Sequence, residues 1–352
     1  MATVGGVAGN VPATPHSEPI GKPPLPKRIA ALARRNEEKG WRGAAWVAVL
    51  LPLAALVFAI TVLAVKAAPV IGHNGGYFIY GRTWTYGNQG YGGGPGARFG
   101  AWAIIWGTIA SSVIAIVIAL PLSIGAAFAL TERMPTWISR PLGFTIEILA
   151  GIPSVVIGLW GILTFAPWLA TNVYPHIASV MPDVPVLRYF RSPTGSGEGL
   201  LSAGIVLALM IVPIITSTTR DLFSQVPPLP KEGASALGMT DWEVANKVTL
   251  PWVRSGIIGA TVLGLGRALG ETIAIAMIGG AALHIPSTIY LPFTTIAATI
   301  LTQLDGQLAN PQGVSALAEL ALVLAVISVA VNLIARLIVN RTGRVGAPLG
   351  GA

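Results

Sequence analysis

Arg267 and Glu271 are two ionisable residues within a strongly apolar stretch, GLGRALGETIAIAMIGG (264–280). Their four-residue spacing places both side chains on one face of an α-helix, about 40° apart around the axis and ~6 Å apart along it. An arginine at the centre of a bilayer costs about 2.5–3.5 kcal/mol, so it should face protein or water and have a partner. The spacing therefore predicts an Arg267–Glu271 ion pair in a membrane helix, and the flanking Gly266 and Gly270 predict close packing of a neighbouring helix.

The predicted ion pair has two interpretations. In the first, it is a structural clamp between membrane helices. In the second, Arg267 lies on the route of an anion such as phosphate, because guanidinium offers a planar fork of donors, and a competing carboxylate would let the anion leave. Thr216 and Ser217 are candidate hydroxyl contacts for the same anion, unless they bond back to their own helix. Glu147 and Glu319 are two further carboxylates in the predicted spans, and they either join this network or, as we expect, make local hydrogen bonds between helices.

The composition indicates that these residues lie in a membrane protein. Hydrophobic residues make up 53% of the 352 positions, charged residues make up 10%, and the mean hydropathy is +0.70. Soluble domains carry about 25% charged residues. Apolar stretches long enough to cross a bilayer, which takes about 20 helical residues, occur six times, so we predict an all-α polytopic protein. These stretches are Ala44–Val65, Ala101–Leu130, Leu142–Leu169, Leu200–Thr219, Gly256–Ala282 and Val314–Val339.

The basic residues are unevenly distributed between the two sides of the predicted membrane. Sixteen Lys and Arg lie on the side of the termini and only five in the opposite loops, which predicts that both termini are cytoplasmic. This distribution also argues against nucleic-acid binding as the reason for the net charge of +8. The predicted domains are a disordered cytoplasmic arm (1–42), a transmembrane domain (43–340) and a cytoplasmic tail (341–352).

Metal and cofactor chemistry is not expected in this chain. It has no cysteine, and its four histidines lie in the arm and the external loops without the spacing of metal ligands. There is no Walker A sequence, so the chain is not expected to bind or hydrolyse ATP. A nucleophile–base set is also absent, which argues against a membrane-embedded enzyme.

The cytoplasmic loop 223–255 contains a predicted helical elbow. In PPLPKEGASALGMTDWEVANKVTLPW (227–252), a short Ala-rich helix would end at Gly238, and Thr240–Glu243 has the spacing of a capping box for a second helix. A projecting elbow of this kind would suit a groove on another protein. The alternative is a connector that lies on the lipid headgroups.

The elbow resembles the EAA signature of ABC-importer permeases, in which Glu-Ala-Ala is followed by three residues, Gly, nine residues, an aliphatic residue, one residue and Leu-Pro. The departure is a glycine where the signature has its first alanine. The resemblance implies that this elbow is a coupling helix that sits in a cleft of a cytoplasmic ATPase. The matching positions are Glu232, Gly233, Ala234, Gly238, Val248, Leu250 and Pro251.

Two further stretches, EILAGIPSVVIGLWGI (147–162) and residues 264–280, resemble phosphate-specific importer permeases of the PstC type. The resemblance implies a MetI-like ABC permease core in the bacterial inner membrane, with Arg267 and Glu271 on the translocation path. It also implies a non-catalytic permease subunit of an ATP-driven phosphate importer. The implied partners are a second permease of the PstA type, two cytoplasmic ATPase subunits that bind the ATP, an external phosphate-binding protein and membrane lipid.

Two alternatives to phosphate import remain open at this point. Permeases for sulfate, molybdate and phosphonate share the elbow. The elbow therefore supports the family, and only the stretches 147–162 and 264–280 favour phosphate as the substrate. A secondary anion transporter would need no ATPase, but many such folds carry internal inverted repeats, and none is evident here.

Overall fold

The computed structural model describes residues 27–85, 97–182, 184, 187–190 and 195–342. Most of them are helical, and a two-stranded antiparallel sheet pairs β1 (Trp84–Thr85) with β2 (Arg98–Phe99). The helices are α1 Lys27–Asn74, α2 Tyr77–Tyr80, α3 Trp102–Phe128, α4 Thr136–Ala150, α5 Ser154–Trp160, α6 Ala166–Asn172, α7 Tyr174–Val180, α8 Leu200–Ser224, α9 Pro228–Ala236, α10 Asp241–Val244, α11 Leu250–Gly270, α12 Ile273–Ile278, α13 Ile296–Gln307 and α14 Pro311–Thr342. Three π-helical turns and a 3₁₀ turn join them: Ala129–Arg133, Gly161–Phe165, Ala245–Thr249 and Leu187–Phe190.

The structure confirms the prediction of an all-α fold class with six membrane spans, apart from the small two-stranded sheet. In the part of the chain that the structure describes, six helical segments are long and apolar enough to cross a bilayer. They are Trp41–Asn74, Trp102–Arg133, Ser154–Val180, Leu200–Ser224, Asp241–Gly270 and Pro311–Arg341.

The chain divides into two compact units, residues 1–59 and 60–352. In the first unit, α1 begins at Lys27, so the prediction of a disordered arm is wrong for residues 27–42. That segment is rich in Ala, Leu, Arg, Lys and Glu, which favour helix, and has no proline to stop the helix before the apolar stretch. Residues 1–26 of the predicted arm and 343–352 of the predicted tail lie outside the described residues.

In the second unit, α3 and α8 pack along their lengths and form the centre of the main hydrophobic core. Small residues allow the close approach: a Cβ at Gly204 would lie 2.4 Å from Ile114 Cγ2. The Ser123 hydroxyl donates a hydrogen bond from α3 to the Val212 carbonyl of α8, at 3.2 Å. The same core includes residues of α5, α6, α11 and α12, so these helices form one packed body.

Two of the predicted spans are interrupted. The third is broken at 151–153, where Pro153 lacks an N–H and disfavours helical backbone in the residue before it. The fifth is broken at 271–272, between α11 and α12. The helices that follow the two breaks, α5 and α12, pack together. A Cβ on Gly158 of α5 would lie 2.9 Å from the Cα of Ala274 in α12.

Candidate functional site

Arg267 and Glu271 do not form the predicted ion pair. Arg267 is exposed in the last turn of α11, and its side chain makes no hydrogen bond or ion pair within the described part of the chain. Glu271 is 8% exposed, and its Oε1 accepts a hydrogen bond from the backbone N–H of Ala274 at 3.4 Å. The prediction failed because α11 ends at Gly270 and Glu271 has extended backbone angles, φ −68° and ψ 124°. The carboxylate therefore leaves the helical register and caps α12 instead.

The structure presents one face of α11 to open space. Among the described residues, a Cβ added at Gly259, Gly266 or Gly270 would meet no atom within 4 Å, and Leu263 is exposed. These positions recur at intervals of three and four residues, as one helix face requires. We call this surface the open face of α11; it consists of Gly259, Leu263, Gly266, Arg267 and Gly270.

The predicted packing role belongs to other glycines of α11. A Cβ at Gly256 would lie 2.6 Å from Leu222 Cδ1, and one at Gly264 would lie 2.8 Å from Ile215 Cδ1, so these two glycines contact α8. Among the described residues, no atom lies within 4 Å of a Cβ added at Gly266 or Gly270, so no described helix of this chain packs there, and close packing of a neighbouring helix at these two glycines stays a prediction. The glycine spacing identified the helix correctly but not the face that packs against α8.

The two candidate hydroxyl contacts lie in α8 and differ in their environment. Thr216 is 1% exposed, and its hydroxyl has no hydrogen-bond partner among the described residues. Ser217 is half-buried and donates to the Ile214 carbonyl of its own helix at 3.1 Å, as the alternative interpretation expects. Neither hydroxyl is hydrogen-bonded to Arg267.

The two additional carboxylates have opposite outcomes. Glu147 of α4 accepts a hydrogen bond from Arg220 of α8 at 2.7 Å, which confirms a link between helices. Arg220 was not predicted as the partner because the predicted span ends at Thr219, whereas α8 continues to Ser224. Glu319 of α14 is buried, and its Oε2 has no hydrogen-bond partner among the residues that the structure describes. The hydrogen bond expected for it is therefore not present there.

The elbow has the predicted form. Pro228 begins α9, and Gly238 follows that helix with φ +82°, in the left-handed region that favours glycine. The capping box is present: Thr240 Oγ1 accepts from the Glu243 N–H at 3.4 Å, and Glu243 Oε2 accepts from the Thr240 N–H at 3.0 Å. The EAA-matching residues Glu232 and Gly233 are exposed on α9, beside the buried Ala234.

The elbow also contacts the end of α3, which sequence reasoning missed. Lys231 and Asp241 form ion pairs with Glu132 and Arg133, the last two residues of the π-helical turn Ala129–Arg133. No group of three or more His, Cys, Asp or Glu side chains that could hold a metal ion occurs in the described ranges.

A family model and similar relatives agree on one family. Residues 119–344 match the model of a family described as "Binding-protein-dependent transport system inner membrane component". "Phosphate transport system permease protein PstC 1" of Mycobacterium tuberculosis is 48% identical over 334 residues, which is 92% of this chain and 98% of that protein. "Phosphate transport system permease protein PstC" of Pasteurella multocida is 43% identical over 243 residues, or 69% of this chain and 75% of that protein. Among solved structures, the inward-facing MetNI methionine ABC transporter is similar with a TM-score of 0.49 and 16% identity, over 68% of this chain and 96% of that one.

Proposed function

Because the chain belongs to the family of binding-protein-dependent transport system inner membrane components, we propose that it is the PstC-type permease subunit of an ATP-driven phosphate importer. It is a multi-pass inner-membrane protein. The observation that carries the assignment to phosphate is the 48% identity to a phosphate permease over 92% of the chain. That extent of identity favours phosphate over sulfate, molybdate or phosphonate.

The open face of α11 is the proposed substrate path. Arg267 has no partner among the described side chains, because Glu271 caps α12, and its guanidinium is therefore available to an anion. A guanidinium fork matches the oxygens of phosphate, and an exposed contact is one that the anion can leave again. Glu271 is proposed to set the position of the helix break beside the path. Thr216 is not included, because it is buried within the chain, and Ser217 remains a candidate contact only.

The same open face is the proposed contact with a second permease of the PstA type. An arginine exposed to lipid is unfavourable, so a face that carries one requires a protein or water neighbour in the assembled importer. The glycines at 259, 266 and 270 leave room for the backbone of another helix. The anion would then pass between the two permeases, with phosphate delivered by an external binding protein.

The elbow is the proposed docking site for the ATPase subunits. It exposes large apolar side chains on both of its arms and beside Gly238: Leu229, Leu237 and Trp242. Exposed apolar residues on a polar cytoplasmic segment are typical of a protein interface. The ATPase would bind the ATP, which leaves this chain non-catalytic and without a cofactor. This arrangement requires the elbow and both termini to be cytoplasmic.

Transport by the reconstituted complex tests this proposal. The chain is purified with its second permease and ATPase, placed in vesicles that contain ATP, and supplied with the phosphate-binding protein and labelled phosphate. Phosphate uptake that depends on ATP is the expected result. Uptake of sulfate with equal efficiency would favour another oxyanion importer, and uptake without ATP would favour a secondary transporter.

A further inference from the structure

The end of α3 holds both arms of the elbow. The π-helical turn Ala129–Arg133, here called the 129–133 turn, directly continues α3. Its Glu132 is paired with Lys231 on α9, and its Arg133 Nη1 lies 3.1 Å from Asp241 Oδ2, at the start of α10. Two neighbouring residues of one turn therefore contact helices on either side of Gly238.

The order of the charges fixes how the elbow sits on this turn. Glu132 faces the basic Lys231, and the next residue, Arg133, faces the acidic Asp241. Exchanging the two contacts would bring like charges together. The Glu132 and Lys231 side chains are 25% and 21% exposed, whereas Arg133 and Asp241 are 53% and 73% exposed. Salt will therefore screen the second pair more than the first.

An aromatic contact connects the same elements to the core. The Phe128 ring packs edge-on against Trp242 of α10, with ring centroids 6.4 Å apart, and against Phe223 of α8, with centroids 6.5 Å apart. A polar cavity of about 130 Å³ lies beside the two ion pairs. The elbow is thus attached to α3 and α8 at defined points, with free space next to them.

We propose that Glu132 and Arg133 are positioning residues that transmit displacement of the elbow to α3, and that coupling of ATP hydrolysis to transport depends on both ion pairs. This inference rests on the proposed function of the elbow as the ATPase docking site. The elbow is joined through the chain to α8 at its start and, through the Ala245–Thr249 turn, to α11 at its end, whereas the ion pairs attach it to α3, which has no direct chain connection to it. Individually weak, exposed ion pairs can shift during each cycle without locking the elbow.

The test measures phosphate transported per ATP hydrolysed by the reconstituted complex. Glu132→Lys, Lys231→Glu, Arg133→Asp and Asp241→Arg are each expected to lower this ratio about two- to fivefold, the factor by which one ion pair of this kind changes an equilibrium. The exchanges Glu132→Lys with Lys231→Glu, and Arg133→Asp with Asp241→Arg, are expected to restore it. A purely structural role would instead lower transport and hydrolysis together, at an unchanged ratio.

Arg140→Glu is the matched control. It reverses the same kind of charge at an exposed position of α4, outside the elbow, and Arg140 is in no ion pair among the described residues. Its ratio is expected to stay at the wild-type value. If a charge reversal prevents assembly, Glu132→Gln and Arg133→Gln provide the same comparison with smaller changes.

The outcomes separate this inference from the proposed function. A wild-type complex that does not transport phosphate contradicts the proposed function. A wild-type complex that transports phosphate, with variants that keep its ratio, overturns the role of the ion pairs. An equal loss in Arg140→Glu, or charge exchanges that fail to restore the ratio, also overturns it.

Discussion

Glu147 and Arg220 form a 2.7 Å ion pair between α4 and α8, and the Arg220 guanidinium lies directly over the backbone of Gly143. Because both side chains are partly exposed, Glu147→Ala should lower the stability of the solubilised protein by only about 0.2–1 kcal/mol. A fall of roughly 1–2 °C in the melting temperature is therefore expected. Asp305→Ala is the control, since Asp305 is exposed and in no ion pair among the described residues.

Gly143→Ala should lower the stability by a similar amount, because it displaces Arg220 instead of removing Glu147. A Cβ at this position would lie 1.9 Å from Arg220 Nη1, so the guanidinium must move away and the ion pair breaks. The double variant with Glu147→Ala should then be no less stable than either single variant, because both changes remove the same interaction. Additive losses in thermal unfolding would show that Gly143 acts independently of the pair.

Two glycines of α3 should respond in opposite ways to alanine. A Cβ at Gly107 would lie 2.1 Å from the Thr294 carbonyl oxygen, and backbone cannot move aside easily, so Gly107→Ala should destabilise by about 1–3 kcal/mol. A Cβ at Gly125 would meet nothing within 4 Å, so Gly125→Ala should be neutral or stabilise by up to about 1 kcal/mol, through helix propensity. Thermal unfolding of the two variants in the same detergent measures the difference.

The elbow contains a second pair of contrasting glycines. Gly238 has φ +82°, so Gly238→Val strains the corner by about 1–2 kcal/mol and should reduce the amount of ATPase that co-purifies with the chain. Gly233 lies within α9 with free space around it, so Gly233→Ala should strengthen that helix and leave co-purification intact. Equal ATPase recovery from both variants would contradict the proposed docking site.

Arg267→Ala should remove phosphate uptake without preventing assembly. Hydrogen bonds to charged groups contribute about 1.5–3 kcal/mol, so uptake should fall about 10- to 100-fold. Arg267→Lys keeps the charge but loses the planar fork and should show a smaller loss. Recovery of the second permease and the ATPase in the purified complex is the control for assembly. Wild-type uptake by Arg267→Ala would exclude this residue from the path.

Gly266→Leu tests the open face as a contact with the second permease. A Cβ at Gly266 would have no described atom within 4 Å, so the stability of the isolated protein should be unchanged. Recovery of the second permease should fall severalfold, because the larger residue keeps the partner helix at a distance. Gly125→Leu places the same side chain at an open position of α3 and is the comparison. Undiminished recovery would place the contact elsewhere.

The spans and the elbow could be predicted because their signals are local. Each span is a long apolar run, and the elbow is set by the Gly238 corner and by the capping box at Thr240 and Glu243. The helix break at 271–272 could not, since ETIAIAM contains neither proline nor glycine and continues the helical pattern. That break is accompanied by a distant contact, between Gly158 of α5 and Ala274 of α12, which no spacing within either segment reveals.

The ion pairs were missed for a related reason. Glu147 and Arg220 are 73 residues apart, and Glu132 and Lys231 are 99 residues apart, so only the packed fold brings them together. By contrast, the four-residue spacing of Arg267 and Glu271 predicted a pair that the end of α11 prevents. The spacing of two charges along the sequence predicts an ion pair only if one helix continues through both residues.

The exposed guanidinium on α11 has a consequence for biogenesis. If the open face meets a second permease, as proposed, a newly inserted copy without that companion must hold this cation against acyl chains or draw water into the bilayer, at a cost of about 2.5–3.5 kcal/mol or more. The unassembled copy therefore differs from the assembled one by a guanidinium that faces lipid. Membrane quality-control proteases would then have a physical basis for removing unassembled copies, and the lifetime of the chain in the cell would follow the supply of its companion.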